Sequence, residues 1–125
     1  MAEARRLRGR ANQAGGMAAE AAAAAALERD GWTVLARRLR TPAGEVDLVA
    51  ERDGLLAIVE VKRRARLADA ALALGPRQRA RLIAAAEIIL AAHPEWGSAG
   101  VRFDVLLVDG VGTVRRIADA FRQES

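Results

Sequence analysis

Hydrophobic and polar positions along the chain change period several times, and each change marks an element. From about Gln13 to Arg29 the chain is mostly alanine, the residue with the best helix propensity, and Asp30-Gly31 supplies the glycine that commonly ends a helix. Trp32 to Leu39 then reads as a strand, and Thr41-Pro42-Ala43-Gly44 as a turn. Glu45 to Glu51 alternates, which predicts a strand with Val46, Leu48 and Ala50 on one face and Glu45, Asp47 and Val49 on the other. Asp53-Gly54 is a strong hairpin signal, and Leu55 to Lys62 returns as a strand apolar enough to be central.

Residues 63–74 carry no clear period. Pro76 suits the first turn of a second helix reaching about Ala92, with an apolar stripe of Leu82, Ile83, Ala86, Ile89 and Leu90. His93-Pro94 closes that helix, with His93 expected as its C-terminal cap, and Gly97 to Gly100 is a loop. Val101 to Val108 and Val114 to Ile117 complete the set as strands. The order α-β-β-β-α-β-β predicts an α/β fold in which a mixed central sheet is flanked by helices. No internal repeat is visible. Residues 1–11, with four arginines, read as a flexible basic arm, leaving 12–125 as a single domain.

Composition narrows the function classes. The 125 residues contain no cysteine, which excludes a disulfide framework and a thiolate metal site. No uncharged apolar run is long enough for a membrane span, and no secretory h-region follows the N-terminal arginines, so a cytoplasmic location is expected. A net charge of +4 with a pI near 11.1 favours an anionic partner, nucleic acid first, although arginine- and alanine-rich usage also follows from a GC-rich genome. Two Trp, two Phe and no Tyr are too few for a platform that stacks single-stranded bases.

Among 20 basic residues one is lysine, Lys62, and it ends the run Ile58-Val59-Glu60-Val61-Lys62. Lysine is a compact ammonium whose proton affinity responds to burial, whereas guanidinium is planar and permanently charged. A two-residue loop at Asp53-Gly54 pairs Asp47 with Glu60 and Glu45 with Lys62. Directly opposed side chains stand about 5 Å apart, and two carboxylates so close repel unless a cation lies between them. Lys62 shares a strand face with Glu60, so Asp47, Glu60 and Lys62 converge. Two carboxylates with room for water suit a hard cation, Mg²⁺ or Mn²⁺, and such an ion stabilises charge on a phosphate under attack. Plain ion pairs of Lys62 with Glu60 or Glu45 explain the same residues without an ion.

Glu20 is the only charged residue between Met17 and Leu27, and either lies at the edge of the buried helix face or points into the acidic cluster. Arg63, Arg64 and Arg66 follow the site, and Arg77, Arg79 and Arg81 open the second helix. Arg63, Arg64, Arg77 and Arg81 are the candidate nucleic-acid contacts, with Arg77 and Arg81 on one helix face. A solvated surface is the alternative. Asp104 is expected to form a surface pair with Arg102, with a place supporting the site residues from behind as the alternative.

Gly44-Glu45-Val46-Asp47-Leu48 followed by Val59-Glu60-Val61-Lys62-Arg63 resembles the Asp…Glu-X-Lys core of the restriction-endonuclease-like nucleases. With Gly16 to Glu20, Arg102-Phe103-Asp104-Val105 and Ala118-Asp119-Ala120-Phe121, the chain more closely resembles the YraN-type family of small bacterial proteins within that superfamily. The resemblance implies a restriction-endonuclease-like core and a divalent-metal phosphodiesterase site. Asp47, Glu60 and the main-chain carbonyl of Val61 would ligate Mg²⁺, and Lys62 would orient the attacking water. Glu20 would match the helix-borne acid of resolvase-like members, near the metal and the chemistry. Arg77 stands where the family usually has a lysine. The function expected is that of a Mg²⁺-dependent nuclease, or nuclease-related protein, acting on structured or branched DNA, with the substrate implied by the resemblance alone. The alternatives are a non-catalytic nucleic-acid-binding or scaffolding protein that keeps the fold, and a purely structural charge network.

Overall fold

The computed structural model describes residues 2–63 and 74–121, with side chains from 16 to 63 and from 74 to 117. Its elements follow the predicted order: α1 (Ala2–Arg29), β1 (Thr33–Thr41), β2 (Gly44–Arg52), β3 (Leu55–Arg63), α2 (Pro76–Ala92), β4 (Gly100–Val108) and β5 (Val114–Phe121). Helix α1 begins at Ala2 and so takes in residues 2–11, which the charge pattern set apart as an arm.

The strands form one five-stranded sheet in sequence order. Three neighbouring pairs are antiparallel, while β3 and β4 are parallel because α2 carries the chain back across the sheet between them. Each face of the sheet has its own core. Ala19, Ala23, Ala24 and Leu27 of α1 pack on Leu48, Ala50, Ala57, Val59 and Leu106. On the other face Leu82, Ala85, Ala86 and Ile89 of α2 pack on Val46, Val49, Leu56, Ile58 and Phe103. Alanine along α1 thus has two effects: it favours the helix, and it lets the backbone lie close to the sheet.

Asp53 (φ 53°) and Gly54 (φ 79°) are both left-handed, the signature of a type I′ hairpin, and the register is the one the two-residue loop requires. Pairs run from Arg52–Leu55 to Leu48–Val59. There the ladder stops, one position short of the expected Asp47–Glu60 pair. The strict alternation expected of β2 also breaks here: Val46 lies in the α2 core, while Leu48 and Ala50 lie in the α1 core. On the β1 side the pairing passes from Arg37–Leu48 to Leu39–Val46 and skips Arg38 and Asp47, where Arg38 adopts a left-handed φ of 50°. Asp47 therefore sits at an interruption in both ladders, and its side chain is freed from the ordinary in-or-out choice of a strand.

Candidate metal and nucleic-acid site

The interruption in β2 brings charged groups together near the C-terminal end of β3. With the Asp47–Glu60 rung missing, the Asp47 carboxylate takes the place of a strand neighbour: Oδ2 accepts a 2.8 Å hydrogen bond from the N–H of Val61. Glu60 and Lys62 continue the alternation that puts Leu56 and Ile58 on the α2 face. Glu60 is buried, and its Oε1 faces two cations, Lys62 Nζ and Arg81 Nη2, each at 3.5 Å. Its Oε2 is buried with no hydrogen-bond partner.

Burial is the main reason that the Asp47 carboxyl is pushed up from its ordinary 3.8 to about 6. The negative charge of Glu60 adds to this, the Val61 N–H works against it, Glu20 raises it further, and Lys62 lowers it. Ionised Asp47 is thus disfavoured mainly by its burial and then by the neighbouring carboxylates, which Lys62 only partly offsets.

Most of the residues singled out from sequence are brought together here, with some changes of partner. Glu20 reaches this end of the sheet closely enough for Asp47 to feel its charge, but its Oε2 is held at 2.8 Å by Nε of Arg38. Glu45, expected opposite Lys62, instead faces Arg40 on β1 at 3.7 Å, because the β2–β3 ladder has ended before it. Arg81 is a partner of Glu60 rather than part of an open basic face with Arg77, which is exposed on the first turn of α2. Arg63 is exposed at the end of β3, and Arg64 and Arg66 lie outside the described residues. His93 caps α2 as expected, its N–H bonding to the carbonyl of Ile89, and its ring stacks on Trp96 with centroids 3.8 Å apart.

Asp104 requires a correction. It is buried, not a surface partner, and is held by Arg102 at 3.0 Å and by Nε of Arg116 at 2.8 Å. Those two guanidiniums, with that of Arg52, surround the Trp32 ring at 4.7 to 4.9 Å from its centroid. Arg102 and Asp104 lie on the α1 face of β4, since Phe103 between them packs toward α2. Alternation in Arg102-Phe103-Asp104 implied that shared face, but nothing local revealed that Arg116 and Trp32 would close over it.

Arg38 was also missed. It is one of several arginines in β1, and its left-handed backbone, which turns it toward Glu20, leaves no trace in composition or spacing.

Among the described residues no three acidic or histidine side chains stand close enough to cage a cation by themselves. Mg²⁺ does not need such a cage, because it commonly binds one or two carboxylates and keeps several waters. The chemistry of Asp47 and Glu60 fits that ion. One has a carboxyl raised by burial and by the charge of its neighbour, and the other has a buried oxygen without a partner.

Comparison with known proteins places the chain. The model of an uncharacterised protein family, UPF0102, matches residues 19–108, a span that includes every acidic residue of the cluster. A UPF0102 protein of Granulibacter bethesdensis is 66% identical over 116 residues, covering 93% of this chain and 73% of the relative. One from Azorhizobium caulinodans is 52% identical over 119 residues, covering 95% and 91%, and one from Rhodopseudomonas palustris is 50% identical over 106, covering 85% and 82%. The family is described as uncharacterised, so membership brings no activity with it. The chain belongs to the UPF0102 family, the YraN-type family that its motifs resemble.

Proposed function

We propose that the protein is a divalent-cation-dependent nuclease that hydrolyses phosphodiester bonds in structured or branched DNA. The observation that carries this reading is a close pair of carboxylates beside a lone lysine: Glu60 with a buried, partnerless oxygen, Asp47 pushed up to about 6, and Lys62 at 3.5 Å from Glu60. A charge network built only for stability would have settled the second Glu60 oxygen with a hydrogen bond as well, since a buried polar atom left unpaired costs about 1–3 kcal/mol.

In this reading Asp47, Glu60 and the carbonyl of Val61 hold the cation. The Val61 N–H holds Asp47, so one short strand segment would position both the carboxylate and the carbonyl. When bound, Mg²⁺ or Mn²⁺ supplies Lewis acidity at a phosphoryl oxygen. Lys62 presents a compact cation to the attacking water, orients it toward phosphorus and offsets developing negative charge. Arg63 and Arg77, exposed at the end of β3 and the start of α2, meet neighbouring phosphates. The choice of structured or branched DNA comes from the likeness to resolvase-like nucleases.

The test is cleavage of duplex, flap and four-way-junction DNA across a titration of Mg²⁺ and Mn²⁺, with Lys62→Ala in parallel. Metal-dependent cleavage that is lost in Lys62→Ala, with DNA binding and fold retained, supports the assignment. Binding without cleavage by the unaltered protein identifies a non-catalytic nucleic-acid-binding protein and refutes the nuclease reading.

A further inference from the structure

Arg81 is held in the site by an arrangement that a simple ion pair does not need. Its stem crosses the start of β2 at Gly44, where a Cβ would stand 2.7 Å from Cδ and 3.0 Å from Cγ of Arg81. Gly44 has φ 140°, a conformation that side-chain-bearing residues rarely adopt, so the backbone there is shaped to let this arginine pass. The guanidinium then meets Glu60 poorly. Its one contact to that carboxylate is 3.5 Å long, where arginine–carboxylate pairs favour two short parallel bonds. Nε of Arg81 is buried and has no hydrogen-bond partner.

The oxygen that Arg81 approaches is also the one that Lys62 approaches at 3.5 Å, while the other Glu60 oxygen is unpartnered. Two cations crowd one oxygen and neither comes close. Around them the formal charges balance: Glu20, Asp47 and Glu60 stand against Arg38, Lys62 and Arg81, and Glu45 faces Arg40. A divalent cation entering a balanced cluster leaves it two charges positive. The group that restores balance is an anion, and the donors positioned for it are those that the cation displaces from Glu60.

We propose that Arg81 is an exchangeable guanidinium: it holds Glu60 in the cation-free site and turns to a phosphate of the nucleic acid when a divalent cation takes that carboxylate. Cation and DNA then bind cooperatively, each strengthening the other, as linkage requires. Gly44 is the clearance that lets the side chain swing between the two partners. This inference rests on the nuclease reading of the site and adds the coupling between its two ligands.

The experiment uses Ca²⁺, another hard oxygen-seeking cation, in two measurements: calorimetry on the protein alone, and anisotropy of a labelled four-way junction in EDTA and in Ca²⁺. Arg81→Gln removes a positive charge next to the cation's carboxylate, so Ca²⁺ affinity is expected to rise about tenfold by Coulomb's law in a water-like dielectric. Junction affinity in Ca²⁺ is expected to fall about tenfold or more, the worth of a charge-assisted hydrogen bond to phosphate, with little change in EDTA. Arg81→Lys, which keeps the charge without the fork, should leave Ca²⁺ affinity near that of the unaltered protein.

A purely structural Arg81 predicts weaker binding of both ligands, together with a lower melting temperature. That result, or an unchanged junction affinity in Ca²⁺, overturns the exchange. If the unaltered protein cleaves DNA but Arg81→Gln fails the opposed pattern, the exchange falls alone. If the opposed pattern holds and Mg²⁺ produces no cleavage, the nuclease reading falls and the coupled binding stands. If the unaltered protein binds neither Ca²⁺ nor the junction, both fall.

Discussion

Replacing Asp47 with asparagine should stabilise the cation-free protein at neutral pH, an unusual outcome for a half-buried polar residue. The amide of Asp47→Asn keeps an oxygen that can accept from the Val61 N–H, so the hydrogen bond at 2.8 Å survives in neutral form while the charge disappears. The sign follows from linkage. The folded-state carboxyl sits above its ordinary value, so its favourable contribution is complete below about pH 3.8 and is lost as pH rises through about 6.

A rise from 3.8 to about 6 corresponds to at most about 3 kcal/mol at neutral pH. Asp47 keeps some contact with solvent, which screens the effect, and the charge-assisted bond to Val61 weakens on substitution. The net gain for Asp47→Asn is then about 1–2 kcal/mol, or about 4–8 °C in melting temperature for a domain near this size. Urea denaturation in EDTA at pH 4.5, 6 and 8 measures it: the two proteins should differ least at pH 4.5 and diverge as pH rises, with Asp47→Asn the more stable. Adding 10 mM Mg²⁺ should narrow or reverse the gap, because only the unaltered protein gains from binding the cation. If Asp47→Asn is less stable than the unaltered protein at pH 8 in EDTA, Asp47 belongs to a structural network and the cation reading of the cluster is wrong.

Removing the buried Asp104 carboxylate with Asp104→Ala strands the Arg102 and Arg116 guanidiniums around Trp32, and a loss of about 3–5 kcal/mol is expected in the same denaturation assay; a loss below about 1 kcal/mol would show that the arginines are already satisfied by water. Gly54→Ala forces a side chain onto a left-handed φ of 79° and sets its Cβ 2.8 Å from Ser98 Oγ, so destabilisation by about 1–2 kcal/mol is expected, with native-like stability contradicting the tight-turn account of the hairpin register.

The hairpin shows where sequence reading succeeds and where it ends. Asp53-Gly54 determined the turn chemistry, the turn determined the register, and the register carried correctly as far as Leu48 opposite Val59. Extrapolating it further failed, because a ladder is a chain of local agreements and Asp47 breaks it by using its side chain on the Val61 N–H. The break is also what makes the cluster possible. A carboxylate kept in strict alternation on β2 would have been assigned wholly to one face, whereas Asp47 at the interruption senses Glu20, paired with Arg38 on β1, and Glu60, paired with Arg81 from α2. Lys62 was legible because its chemistry departs from the chain's own habit of using arginine. Arg38 was not, because an arginine among many gives no compositional signal, and Arg81 was singled out as a phosphate contact but not as a partner of Glu60; their places depend on a left-handed backbone at Arg38 and the clearance over Gly44. Residue type thus marked the groups that carry the proposed chemistry, while the pairing of Arg38 with Glu20 and of Arg81 with Glu60 was visible only in three dimensions. Charge balance depends on distance, and distance across strands and helices is what a linear pattern fails to encode once a ladder is interrupted.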